Sequence, residues 1–153
     1  DIGVHVGDTM QWYAGDVVSV SALTDSRRPD IDVVDNAVAL FRFAGGATGV
    51  LELSWTSAVN HMSFEVHGTE GTLLVGGPGD ALRLRRRDGE TVEIPPAEFN
   101  PPDRNSFQCF ADAVAGVAPT PVPGETGHAI QLVLDAILAS GAQGGAPVAV
   151  TQA

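Results

Sequence analysis

The 153-residue chain is 44% hydrophobic and 18% charged, a balance that favours a folded domain with a buried core over disorder. Its formal charge of −11 repels phosphate backbones and anionic lipid headgroups, which excludes nucleic acid and a membrane surface as expected partners. All eight basic side chains are arginines, so the chain holds neither a Schiff-base lysine nor a Walker A phosphate loop. No apolar run approaches the ~18–20 residues of a membrane helix and no basic-then-apolar leader opens the sequence, so a cytoplasmic location is expected. The single Cys109 reads as a small buried residue in a reducing compartment.

The first segment, residues 1–13, reads as the end of a helix with Ile2, Val6, Met10 and Tyr13 on one stripe. Asp1, His5, Asp8 and Trp12 form a neighbouring stripe, and Gly15 stops the helix. Side chains four apart on a helix lie ~5–6 Å apart at Cβ, so Asp1 can hold one imidazole nitrogen of His5 and leave the other free for proton transfer. From the residues alone, a structural histidine is the default reading. A helix carrying such a pair with no cap before it is expected to be part of something larger.

Strand patterns follow at 17–23, 35–43 and 47–56, the last two joined across Ala44-Gly45-Gly46 as a hairpin. Further strands are expected at 61–67, 72–75, 81–87 and 91–94, the last pair turning at Asp88-Gly89. His61 and His67 stand ~20 Å apart along one strand, too far for a shared metal, and no other ligand spacing is present. A helix starts near Asp103 or Asn105, with Asn105 and Gln108 as a capping box and Phe107, Phe110, Ala111 and Val114 as its stripe. The last helix, 125–140, carries Ile130, Val133, Leu134, Ile137 and Leu138, and 147–150 adds a closing strand. This order predicts an α+β fold, a mainly antiparallel open sheet with helices on one face. Weak alternation over 47–55 leaves the other face apolar, a candidate subunit contact.

Several separated blocks resemble one family, the Gfo/Idh/MocA oxidoreductases. They are Asp1 to Asp8 with Trp12 and Gly15; the hairpin from Asp35-Asn36-Ala37-Val38 to Ser54-Trp55; Glu65 to Leu73; and the two helices at 107–116 and 124–140. The resemblance covers nearly the whole chain, in order, and implies the C-terminal domain of a two-domain enzyme, 1–153, with the open sheet of the glyceraldehyde-3-phosphate-dehydrogenase C-terminal-like type. NAD or NADP, and the motif lysine, would then be supplied by an N-terminal Rossmann domain that this chain does not contain. No Gly-x-Gly-x-x-Gly follows a strand here, which fits.

The implied reaction moves a hydride between nicotinamide and a sugar, inositol or related polyol. Carried over by position, His5 is the base or proton relay and Asp1 its orienting acid, with Asp8 in support. Trp55 and His128 are weaker candidates to line a substrate pocket. The chain alone is expected to be inactive, and to form a homodimer or homotetramer through the open sheet face. The alternative is a non-catalytic dimerisation or ligand-binding module of the same fold.

Overall fold

The computed structural model describes residues 2–77, 80–95 and 105–151, and divides into two compact units, Asp1–Ser57 with Pro121–Ala153 and Ala58–Thr120. In the first unit, helix α1 (Ile2–Ala14) leads into strands β1 (Val17–Asp25), β2 (Asn36–Phe43) and β3 (Thr48–Ser54). The second holds β4 (Phe64–His67), β5 (Gly71–Val75), β6 (Leu82–Arg86), β7 (Thr91–Ile94) and α2 (Ser106–Val114). The chain returns to the first unit with α3 (Gly124–Ala142) and the short β8 (Val148–Ala149).

All strand pairs are antiparallel, as hairpin connections dictate. The α+β class and the run of hairpins agree with the sequence reading, but the strands among the described residues form two sheets of four, ordered β3-β2-β1-β8 and β4-β5-β6-β7. The break falls after Trp55, where a run of exposed residues without strand pairing separates β3 from β4. The strand expected at 61–67 accordingly begins only at Phe64.

The core of the first unit lies between its sheet and the two helices. Val17, Val20, Ala22, Ala39, Phe41, Phe43 and Leu51 point from the strands toward Ile130, Val133, Ala136 and Ile137 of α3. Period-2 and period-3.6 patterns thus meet in one apolar layer. Helix α1 joins through Val4, Val6, Met10 and Ala14. Its packed face is not the stripe expected from sequence, because Ile2 and Tyr13 are largely exposed and Gly3 and Gly7 are buried. A Cβ on Gly3 would come within 3.1 Å of Leu53 Cδ1, and one on Gly7 within 2.7 Å of Ile130 Cδ1. The bare backbone of these glycines lets α1 settle against β3 and α3, turning the helix away from its bulkier stripe.

Gly15 ends α1 at φ +84°, its N–H donating to Gln11 O at 2.8 Å, a left-handed cap that a Cβ would disfavour. At the far end of the unit, the Ser140 hydroxyl accepts from Ala22 N at 2.8 Å and donates to Ala146 O at 2.7 Å. It thereby pairs a β1 donor beyond the end of the two-residue β8.

In the second unit, one sheet face carries Glu65, His67, Thr72, Arg83, Arg85 and Glu93, and the other the half-buried Phe64, Val66, Leu73, Leu84 and Val92. The Arg83 side chain pairs with Glu93 at 2.9 Å, so the arginine row is a solvated ladder. Asn105 caps α2, its side chain accepting from Gln108 N at 2.9 Å, which fixes the later of the two expected starts. The stripe expected to bury does not: Phe107, Phe110 and Val114 are exposed, and Cys109 is half-buried and unpaired by disulfide.

Candidate functional site

At about 100° per residue, Gly3, Gly7, Met10 and Ala14 of α1 cluster within about 60° of one another. His5, Asp8 and Trp12 lie about 140–200° from Gly3, on the opposite side of the helix. His5 is exposed, Asp8 half-buried and Trp12 80% exposed. Packing against β3 and α3 therefore fixes which way the histidine faces: outward from the unit, with no side-chain hydrogen bond or ion pair among the described residues. A helix anchored by its glycines presents the imidazole on a rigid support. Asp1, the expected partner of His5, lies outside the described residues.

The direction of α1 places the first turn at one end of the sheet. Gly3 sits over Leu53 near the end of β3, and Gly49, near its start, faces the Met10 methyl, so the helix runs antiparallel to the strand. Ser54 and Trp55 follow Leu53 immediately and share that end. Trp55 is 43% exposed, and its backbone N–H donates to Asp35 O at 2.9 Å. His128 is not gathered there. It stands near the start of α3, which meets α1 with Ile130 at Gly7 and Leu134 at Gly3, so His128 lies on the side of Gly7 away from the first turn of α1. It is exposed, on the helix face away from Val133 and Ile137.

At the same end of the sheet, but on the open face that α1 does not cover, lies a cavity of about 500 Å³ whose apolar lining includes Leu23 and Val38. Its polar lining includes Asp25, Arg27, Asn36, Ser54 and Thr56. These groups are linked. Thr56 N donates to Ser54 Oγ at 3.1 Å, Thr56 Oγ1 to Asn36 Oδ1 at 3.1 Å, and Asn36 Nδ2 to Asp35 Oδ1 at 2.7 Å. Asp35 is buried and also accepts from the backbone N–H of Arg27 and of Arg28, the latter at 2.7 Å. Burial pushes its carboxyl up, but the Arg27 and Arg28 N–H groups and the Asn36 amide together hold it below the usual carboxylate range. Sequence reasoning placed Asp35 and Asn36 in the hairpin and missed this network. The signal was available, since an acid before a strand and beside a turn-rich loop is a common bond acceptor for loop N–H groups.

Among the described residues no group of three or more His, Cys, Asp or Glu side chains gathers as a metal site. No helix among them is long and apolar enough to cross a membrane.

Residues 1–74 match the GFO/IDH/MocA C-terminal domain family, and that stretch contains the whole of α1 and the hairpin against which it packs. Of characterised relatives, a D-apiose dehydrogenase of Rhizobium rhizogenes is 28% identical over 60% of the chain, and a 1,5-anhydro-D-fructose reductase of Ensifer adhaerens is 26% identical over 83%. The chain spans only 28% and 40% of those two proteins. The structure of a levoglucosan dehydrogenase complexed with NADH superposes on all of this chain at a TM-score of 0.80 and 26% identity, over 50% of its own length. The part of the chain beyond residue 74 is thus also part of the shared fold.

Proposed function

We propose that this chain is the substrate side of a nicotinamide-dependent oxidoreductase acting on a sugar or related polyol. The observation that carries the reading is the outward-facing His5 on a helix that falls within the family match. When bound, the nicotinamide ring would accept a hydride from the substrate carbon or return it. Its dinucleotide would be held outside this chain, which has no glycine fingerprint and no lysine. His5 takes the hydroxyl proton as the C–H bond breaks and gives it back in the reductive direction. Asp1 orients the imidazole, and Asp8 stands one helical turn on from His5. Trp55 adds an apolar wall. His128, standing away from this end, is at most a remote contributor.

The same reading takes the uncovered sheet face as the contact between copies. Leu23, Val38, Leu40 and Val50 lie there, 65%, 46%, 56% and 66% exposed, side by side on three adjacent strands. Such a contiguous apolar face is expected to be covered in the assembled protein. The test of the proposed activity is nicotinamide reduction by the full protein, this chain together with its dinucleotide-binding domain, across a panel of aldoses, anhydrosugars and inositols with NAD and NADP. Turnover of at least one polyol is expected. Tight dinucleotide binding with no turnover of any would favour the non-catalytic module instead.

A further inference from the structure

The outer side of α1 carries more than His5. Val4, Val6, Met10 and Ala14 pack against the core of the first unit, which leaves Trp12 and Tyr13 uncovered in the last turn, 80% and 57% exposed. Their ring centroids lie 5.0 Å apart, with the planes inclined at 53°. Single exposed apolar side chains are ordinary, but two large aromatic rings in contact form a patch that is costly to leave in water. A covered indole buries about 150–250 Å², and tryptophan and tyrosine are enriched among the side chains that dominate protein contacts.

What covers them follows from His5. Trp12 is seven residues on, two turns less about 20°, so the two side chains share one stripe about 10 Å apart along the helix axis. In the proposed reaction the nicotinamide ring has to meet the substrate carbon beside His5. This chain has no lysine and no glycine fingerprint for a dinucleotide. It also superposes on only 50% of the NADH-complexed levoglucosan dehydrogenase, so the rest of that protein has no counterpart here. The dinucleotide is therefore brought to His5 by a separate folded body. A domain of about 100 residues has a radius of gyration of about 13 Å, so one that meets a substrate at His5 from the outer side of α1 also reaches Trp12. Asp8 lies between the two along the helix. The seat is thus an aromatic ridge beside a carboxylate, which suits an apolar pocket rimmed by a basic side chain.

We propose that Trp12 is a positioning residue, its indole anchoring the dinucleotide-binding domain on the outer side of α1 and so setting the nicotinamide ring against the substrate at His5. The proposal rests on the oxidoreductase reading above and adds to it a residue that takes no part in proton or hydride transfer. The anchor is stiff. Rolling α1 would bring a side chain against Leu53 and Ile130, where Gly3 and Gly7 already sit at the limit of approach. Tyr13 supports the indole from its flank.

Two measurements on the full protein, this chain together with its dinucleotide-binding domain, test it. The first is acrylamide quenching of Trp12 fluorescence, isolated as the difference between wild type and Trp12→Phe, and it does not depend on turnover. The indole is expected to be quenched several-fold less than a free tryptophan analogue, although this chain by itself leaves it 80% exposed. An indole quenched as freely as the analogue overturns the proposal. The second is steady-state kinetics of Trp12→Ala and Trp12→Phe. The alanine variant should lose about ten-fold or more in kcat with dinucleotide Kd unchanged, because the nicotinamide ring is misplaced and not unbound. Phenylalanine keeps an apolar ring and should recover most of that loss. Wild-type kcat in Trp12→Ala overturns the positioning role. A shielded indole in a protein that turns over no polyol supports the anchor and overturns the oxidoreductase reading, so the two failures are distinct.

Discussion

At the scale of single residues, two buried polar groups hold the first unit in ways that pattern reading does not reach. Asp35 is one. Its folded-state carboxyl titrates below the ordinary value of about 3.9, so its contribution is complete above that pH and is lost as pH falls through the lower, folded value. Asp35→Asn should lower Tm at neutral pH, because an amide oxygen replaces a carboxylate that accepts from two backbone N–H groups and Asn36. Its Tm should also fall less steeply than wild type on acidification below about pH 4. Thermal melts of both proteins over that range check the sign, and parallel curves would contradict it. Ser140 is the other. Ser140→Ala leaves Ala22 N and Ala146 O without a partner in a fully buried position, an expected loss of about 2 kcal/mol or more in urea unfolding. Only its helical span was legible, because a serine that bonds two distant backbone groups looks in sequence like any helix-terminal serine. His5 shows the reverse. Its spacing to Asp1 and Asp8 was legible at once, and the structure adds only the direction it faces.

Elements were read well where one period dominated. The β2–β3 hairpin, β7 and α3 fall within a residue or two of expectation, since alternation, glycine turns and a broad apolar face leave one solution. The face of α1 was misjudged because hydrophobicity alone gives glycine no weight, although an approach this close requires it at positions 3 and 7. The same logic applies where α3 crosses β1. A Cβ on Gly141 would meet Thr24, including its Cβ at 2.9 Å, an atom fixed to the strand backbone that no rotamer change can move. Helix propensity favours Gly141→Ala by about 1 kcal/mol, yet crowding should win and destabilise the protein by about 1–3 kcal/mol. A stabilised variant would show that α3 lies farther from β1.

For the whole molecule, hairpin connectivity correctly gave an antiparallel α+β fold with helices on one face, as in the first unit. It could not give the number of sheets, because the end of strand pairing after Trp55 depends on long-range partners that alternation does not encode. The uncovered face was legible in the weak odd–even contrast of β3, and it carries a consequence at this scale. If copies associate through it, Tm should rise with protein concentration, since a partner that binds only the folded state stabilises it by mass action. A Tm constant across micromolar concentrations would contradict association.

The central claim is that α1 presents a proton-transferring histidine to a sugar or polyol. It is tested most directly by the turnover of His5→Ala in the full protein, under saturating nicotinamide and the best substrate found. The expected result is a fall in kcat of about 10²–10⁴-fold with dinucleotide affinity unchanged. Wild-type turnover in that variant would contradict the account.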